Sequence, residues 1–292
     1  MTIASNQTIA VFGATGNQGG SVVNALLDRG ATVRALVRDP ESAKAQSLAE
    51  RGVELAAADA ADPASLAQAI KGADAFFYMT MPPGGMRNAD TAGETAQGIA
   101  LADAAAQAQV PRIVYSSVGG ADRGSGIPHF ESKRRVEEYL QELNLPVTFI
   151  RPVFFIENFV FMGPSLEDDE IVVRLPMPDG IALQMVAVRD IGKAAAAALL
   201  GTPIHGGAVE IAGDARTGSE IAAAFGEHAG KKARYEALPL QVLDGQDDMQ
   251  KMFRWFAETP AYQADLGTTR RLVPELLDLP AWLQANDWTP RA

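Results

Sequence analysis

Thr8-Ile9-Ala10-Val11-Phe12-Gly13-Ala14-Thr15-Gly16-Asn17-Gln18-Gly19-Gly20 is the stretch whose reading decides the fold. A short apolar run leads into glycines at 13, 16 and 19, and an amphipathic segment carrying Val22, Val23, Leu26 and Leu27 follows. The first glycine permits a tight strand-to-helix turn, the second lets backbone approach a pyrophosphate, and the third allows close helix packing. Glycines also punctuate ordinary turns, so the triplet alone says little. Between a buried strand and a helix start, whose free amides and dipole favour phosphate, it predicts a dinucleotide site. Gly13, Thr15, Gly16, Asn17, Gln18 and Gly19 are its expected contacts.

Outward from this stretch the same rhythm repeats. Apolar runs at 8–12, 32–37, 53–57, 75–79, 112–116 and 147–150 alternate with amphipathic stretches at 18–29, 41–51, 63–71, 90–109 and 131–143. Strands that are apolar almost throughout are covered on both faces, and helix-length crossovers between them make a parallel sheet. The expected fold class is therefore α/β: a doubly wound parallel sheet of the Rossmann type with a smaller C-terminal α+β lobe. Past Arg151-Pro152 the pattern becomes irregular, with an aromatic segment, the acidic loop Glu167-Asp168-Asp169-Glu170 and a proline-punctuated stretch at 176–180. Residues 1–151 are expected to form the nucleotide-binding domain and 152–292 a substrate or cap lobe that returns some elements to the sheet. Helices at 190–200, 218–229 and 249–257 are expected to cap the carboxyl ends of the strands, where open α/β sheets bind ligands. Trp282 and Trp288 are read as a terminal clasp.

Composition narrows the function. With 25 basic and 36 acidic side chains the 292-residue chain carries a net charge of -11, which repels a polyphosphate duplex, so no nucleic-acid partner is expected. The chain has no cysteine, which excludes disulfides, thiolate nucleophiles and cysteine metal sites and fits a cytoplasmic location. The N-terminus has neither the basic start nor the apolar stretch of a secretory signal, and the apolar run 194–200 is far short of the roughly 20 residues of a membrane span. Three histidines without cysteine offer no cluster of metal ligands, so no metal is expected.

The second strand ends in Val37-Arg38-Asp39-Pro40, about where an NAD site presents a carboxylate to the ribose. Arg38 stands there instead, and a guanidinium pairs well with a 2′-phosphate, so the expected cofactor is NADP, NAD being less favoured. Arg34 or Lys44 are candidate helpers. The alternatives are a surface arginine paired with Asp39 or Glu41, and an Asp39 turned towards the ribose. Asp59, after the third strand, is either an adenine contact or a turn residue. Thr80 and Met81, after the fourth, open the loop Pro82-Pro83-Gly84-Gly85 and are assigned to the middle of the cofactor. Ser116 ends the fifth strand as a cofactor contact and Ser117 follows as a substrate contact, with a plain turn as the alternative.

Gly13-Ala14-Thr15-Gly16-Asn17-Gln18-Gly19, Arg112-Ile113-Val114-Tyr115-Ser116-Ser117 and His129-Phe130-Glu131-Ser132-Lys133 together resemble the NmrA-like family, atypical members of the short-chain dehydrogenase/reductase superfamily. Arg151-Pro152-Val153-Phe154-Phe155-Ile156-Glu157-Asn158-Phe159, Val188-Arg189-Asp190-Ile191-Gly192 and Met252-Phe253-Arg254-Trp255-Phe256 extend the likeness over nearly the whole chain. The resemblance implies an NAD(P)-binding Rossmann half and a smaller lobe, in proteins that are either reductases or redox-sensing regulators without catalysis. Pro152 and Phe154 are assigned to the cofactor.

Ordinary members of the superfamily use a tyrosine four residues before a lysine. None of Tyr78, Tyr115, Tyr139, Tyr235 or Tyr262 has that partner here. In the matching place stand His129 and Lys133, which share a face if the helix already begins there. An imidazole titrates near neutral pH, and either residue can serve as acid or base; the likeness to isoflavone-reductase-like relatives favours Lys133. The alternatives are a Lys133 that binds the cofactor at its ribose, and a solvated helix face with Lys133–Glu137 and Arg134–Glu138 pairs; His228 and Lys232 repeat the spacing elsewhere. Phe154, Phe155, Asn158 and Phe159 are expected to wall the pocket for a flat or greasy ligand, or else to form core between the lobes. The expected function is an NADPH-dependent reductase of a small apolar carbonyl, quinone or imine, with a non-catalytic NADP(H) sensor acting through a protein partner as the alternative.

Overall fold

Residues 7–85 and 89–290 are described by the structure, a computed structural model. Alternation builds the central sheet: in β1 (Thr8–Phe12) Ile9 and Val11 enter one core and Ala10 the other. Then follow α1 (Asn17–Leu27), β2 (Thr32–Val37), α2 (Ala43–Ala49), β3 (Glu54–Ala57), α3 (Pro63–Ile70), β4 (Ala75–Met79), α4 (Thr91–Gln107), β5 (Ile113–Ser116), α5 (Pro128–Glu142) and β6 (Val147–Pro152). Local chemistry sets the boundaries. Asp62 accepts the amides of Ala64 and Ser65, with Pro63 in the first turn of α3, and Asp90 accepts the Gly93 amide to start α4. Helix α5 begins at Pro128, three residues earlier than its sequence pattern predicts, because proline fits the first helical position and a distant carboxylate accepts the following amide, as described below.

Beyond β6 come β7 (Phe154–Phe155), β8 (Ser165–Glu167), β9 (Glu170–Leu175), β10 (Leu183–Val186), α6 (Val188–Leu199), β11 (Ala208–Ile211), β12 (Asp214–Arg216), α7 (Gly218–Ala229), β13 (Lys232–Ala237), α8 (Asp247–Glu258), α9 (Leu266–Leu272) and α10 (Leu279–Ala285). The seven-stranded sheet has the order β11-β6-β5-β4-β1-β2-β3, and all its pairings are parallel. Winding reverses between β1 and β4. The loops that follow these two strands therefore flank the crevice in which doubly wound sheets bind nucleotides. In the second lobe β10 lies between β7 and β12, and β9 between β13 and β8.

Helix α6 corrects one expectation. Its sequence position predicts a cap helix; instead it packs against α1 on the face of the central sheet, with Ile191, Ala194, Ala195 and Ala198 in the same core as Val22 and Leu26. Small residues let the two backbones close up: a Cβ added at Gly192 would stand 2.4 Å from the Ser21 carbonyl carbon. Gly192→Ala is accordingly expected to cost about 1–3 kcal/mol, as overpacking does, and a urea unfolding midpoint equal to wild type would contradict this crossing.

The second lobe is built on Phe159, Phe225, Phe253, Phe256 and Trp282. Helix α5 bridges the two units: Phe130, with Ile127 just before the helix, enters that core, and Val136 and Leu140 enter the core shared with α3 and α4. At the C-terminus, the Trp282 indole donates to Glu157 at 2.9 Å and Trp288 packs on Phe225 with ring centres 4.7 Å apart. Burial raises the Glu157 carboxyl above its ordinary range, although this indole and the Val188 amide oppose the shift. Among the described residues no helix is long and apolar enough to cross a membrane.

Candidate functional site

The glycine loop is shaped for close approach. Gly13 has φ +75°, the Gly16 amide donates to the Gly13 carbonyl at 2.9 Å, and a Cβ at Gly19 would lie 2.2 Å from that same carbonyl oxygen. No side chain caps α1, so the amides of Asn17, Gln18 and Gly19, which precede its first intrahelical bond, are left for a ligand. Thr15, Gly16 and Asn17 are exposed beside them. Gln18 is buried with its Oε1 unpartnered, and so are the hydroxyls of Ser116 and Ser117 at the end of β5. Each such group costs about 1–3 kcal/mol unless something polar meets it. Three of them gathered at the carboxyl ends of β1 and β5, Gln18 in the first turn of α1 and Ser116 and Ser117 where β5 ends, fit a nicotinamide dinucleotide.

At the end of β2, Arg38 is exposed with no hydrogen bond or ion pair among the described residues, and Lys44 is likewise free. Asp39 is exposed too, and its Oδ1 accepts the Glu41 amide at 2.9 Å. Arg34 is not a helper. Its guanidinium meets Glu54 at 2.8 Å and the carbonyls of Ala69 and Lys71, because Arg34 and Glu54 face each other in the β2–β3 register. Asp59 accepts the Ala61 amide at 2.9 Å, the geometry of a turn residue. Met81 is 57% exposed.

Lys133 has an environment that the sequence does not suggest. Its ammonium forms a short ion pair with Glu94 and donates to the Thr80 carbonyl at 2.9 Å. Glu94 is fully buried and also accepts the hydroxyls of Thr80 at 3.0 Å and Ser132 at 2.6 Å, and the Thr80 hydroxyl touches Tyr115 at 3.2 Å. The expected Lys133–Glu137 pair does not form: Glu137 is buried and takes the Arg151 guanidinium at 2.6 and 3.0 Å. Arg134 does pair with Glu138. One turn before Lys133, His129 Nδ1 meets Asp248 Oδ1 in a short contact, and the His129 amide donates to the other Asp248 oxygen at 3.1 Å. Tyr78 and Tyr115 lie wholly inside the core, where burial raises both phenols well above their ordinary range.

Glu94 and Asp248 were missed, yet both leave a trace. Glu94 stands on the buried stripe of α4 with Gly98, Leu101, Ala102 and Ala105, and Asp248 on that of α8 with Met252, Phe253 and Phe256. A carboxylate on an apolar stripe needs a partner, since an unpaired buried charge is expensive.

The expected aromatic wall divides. Phe154 and Phe159 pack on each other and on Phe256 and Phe225, so their rings belong to the core. Phe155 and Asn158 are half-buried. Pro152 is buried, and its carbonyl accepts the Gly119 amide at 2.8 Å. A cleft of about 550 Å³ lies elsewhere, between Glu157, Phe161, Trp282 and Trp288; of the expected site residues it touches only Phe159.

Residues 5–282 match the model of the NmrA-like family. The chain is 31% identical over 235 residues to an NAD(P)H azoreductase of Xenophilus azovorans, covering 80% of this chain and 78% of that protein. A triphenylmethane reductase of Citrobacter sp., solved with NADP(H), shares the fold with a TM-score of 0.81 at 23% identity, over 95% of this chain and 99% of the other. An NADPH-dependent quinone oxidoreductase of Escherichia coli gives a TM-score of 0.78 at 26% identity, over 96% and 100%. Glycine loop, strand order and match over nearly the full length agree: this chain belongs to the NmrA-like family.

Proposed function

We propose that this protein is an NADPH-dependent reductase of a small apolar acceptor, a quinone, carbonyl or imine. The observation that carries the coenzyme assignment is Arg38 at the end of β2, exposed and without a partner among the described residues, beside an Asp39 whose Oδ1 accepts the Glu41 amide. A free guanidinium attracts the 2′-phosphate that distinguishes NADPH from NADH. The names of the azoreductase and of the quinone oxidoreductase support the reductase reading.

Reduced nicotinamide, when bound, supplies a hydride. The chain supplies the rest. The amides at the start of α1 hold the diphosphate, and Gln18 and Ser116 offer buried hydrogen-bonding atoms to the coenzyme. Ser117, Phe155 and Asn158 remain as acceptor contacts. Lys133, held by Glu94 and the Thr80 carbonyl, has one N–H left for a coenzyme hydroxyl.

NADPH oxidation followed across a panel of quinones, aldehydes and imines is expected to show turnover with at least one class. NADPH that binds without turnover on any of them would overturn the reductase reading in favour of a sensor. Arg38→Ala is expected to weaken NADPH about tenfold, some 1.4 kcal/mol, with NADH affinity unchanged in fluorescence titration. Equal losses for both coenzymes would remove Arg38 from the phosphate site.

A further inference from the structure

We propose that His129 is the proton donor of the reduction and that Asp248, from the second lobe, is its positioning residue, while Lys133 is an anchor and not the acid. The inference rests on the reductase reading above. It starts from how the two candidates on α5 spend their hydrogen-bonding groups.

Two of the three Lys133 donors are committed, one to the Thr80 carbonyl and one to a carboxylate with no solvent exposure. If that ammonium gave up its proton, Glu94 would be left as a buried charge without a cation, a costly state. His129 is placed in the opposite way. Its Nδ1 faces the Asp248 carboxylate, which only accepts, so the ring hydrogen sits on Nδ1 and the exchangeable proton is handled at Nε2. Nε2 has no partner among the described residues and is not a sealed-off buried atom.

The orientation is built in. Asp248 lies in the first turn of α8, and its second oxygen accepts the His129 amide in the first turn of α5, so two positive helix ends face one carboxylate. The Phe130 ring stands edge-on to the imidazole at 4.7 Å, and Trp255 of α8 packs against Phe130 at 5.5 Å. Ring, carboxylate and aromatic support thus join the helix that carries Lys133 to the second lobe.

In the step itself a quinone takes up a hydride, two electrons and one hydrogen, from the reduced nicotinamide, which leaves oxidised. The hydroquinone oxygen takes its proton from His129 Nε2, and the imidazole left behind keeps its Nδ1–H on Asp248 and is reprotonated by water. A triarylmethyl cation, by contrast, becomes neutral on accepting hydride alone and needs no proton.

That difference gives the test. Rates with a quinone and with a triarylmethyl cation are measured for wild type, His129→Gln, Asp248→Ala and Lys133→Met. The quinone-to-cation ratio is expected to fall roughly 100-fold in His129→Gln and Asp248→Ala, the usual contribution of a general acid. In Lys133→Met the ratio is expected to hold while the Kd for NADPH rises. A ratio that stays at the wild-type value in His129→Gln, or that falls only in Lys133→Met, overturns the assignment. A second readout needs neither coenzyme nor turnover: nitrogen NMR of the coenzyme-free protein at alkaline pH is expected to show His129 protonated at Nδ1, and that preference is expected to disappear in Asp248→Ala. The Nε2–H tautomer in wild type would sink the positioning role. Should wild type reduce neither acceptor, the reductase reading falls by itself, and the tautomer still decides whether Asp248 sets the imidazole.

Discussion

Gly19→Ala is expected to abolish useful coenzyme binding, raising the Kd for NADPH at least 100-fold, or about 2.8 kcal/mol, in titration calorimetry. The added Cβ meets the Gly13 carbonyl oxygen at 2.2 Å, its carbon at 2.5 Å and the Ala14 nitrogen at 3.0 Å. All three are backbone atoms, and none can rotate aside as a side-chain tip would. The loop must move bodily, and the amides of Asn17 and Gln18 lose the alignment on which a diphosphate depends. The neighbouring glycine is the control. A Cβ at Gly20 only grazes the Ala14 carbonyl at 3.4 Å, so Gly20→Ala is expected to keep nearly wild-type affinity. A Gly19→Ala protein that binds NADPH normally would move the phosphates to another part of the molecule.

Glu94→Ala is expected to cost about 3–5 kcal/mol of folding stability, as removing one partner of a buried ion pair does. The carboxylate has no solvent exposure and ties Lys133 of α5 and the hydroxyls of Thr80 and Ser132 into one cluster with α4. Removing it leaves an ammonium with only 13% of its side chain exposed, held by the Thr80 carbonyl alone, and takes one acceptor each from the Thr80 and Ser132 hydroxyls. Glu94→Gln keeps the shape and one carbonyl oxygen, and is expected to lose less. Urea unfolding monitored by circular dichroism measures both. A loss below about 1 kcal/mol for Glu94→Ala, the scale of a solvated pair, would mean that the cluster is open to water. Lys133 also loses its tether in this variant, so NADPH affinity is expected to fall with stability.

Much of this was legible before any coordinates. The strands and crossovers could be read because their apolar residues recur with a local period, which any strand or helix must show if it is to bury one face or two. The glycine loop could be read because spacing and flanking elements together restrict what such a triplet can do. Other assignments depended on partners. Arg34 and Arg38 look alike in sequence, four residues apart in and just after one strand, yet the strand register delivers Glu54 to the first, while the second has no partner among the described residues. Phe154 and Phe155 are adjacent, and alternation sends one ring into the second lobe and leaves the other half-buried against the core of the central sheet. Helix α6 looked like a cap helix because it follows the start of the second lobe, but its alanine face is thin enough to lie on α1.

By itself the sequence determined the doubly wound α/β plan, the phosphate loop at the first strand–helix turn and the lack of a tyrosine paired with a lysine, because each is written in residues a few positions apart. Tertiary structure alone decided the chemistry of α5. Lys133 finds its carboxylate 39 residues away and His129 finds its own 119 residues away. A charged residue on a helix reads the same in sequence whether water or a distant carboxylate receives it, and only folding chooses between them.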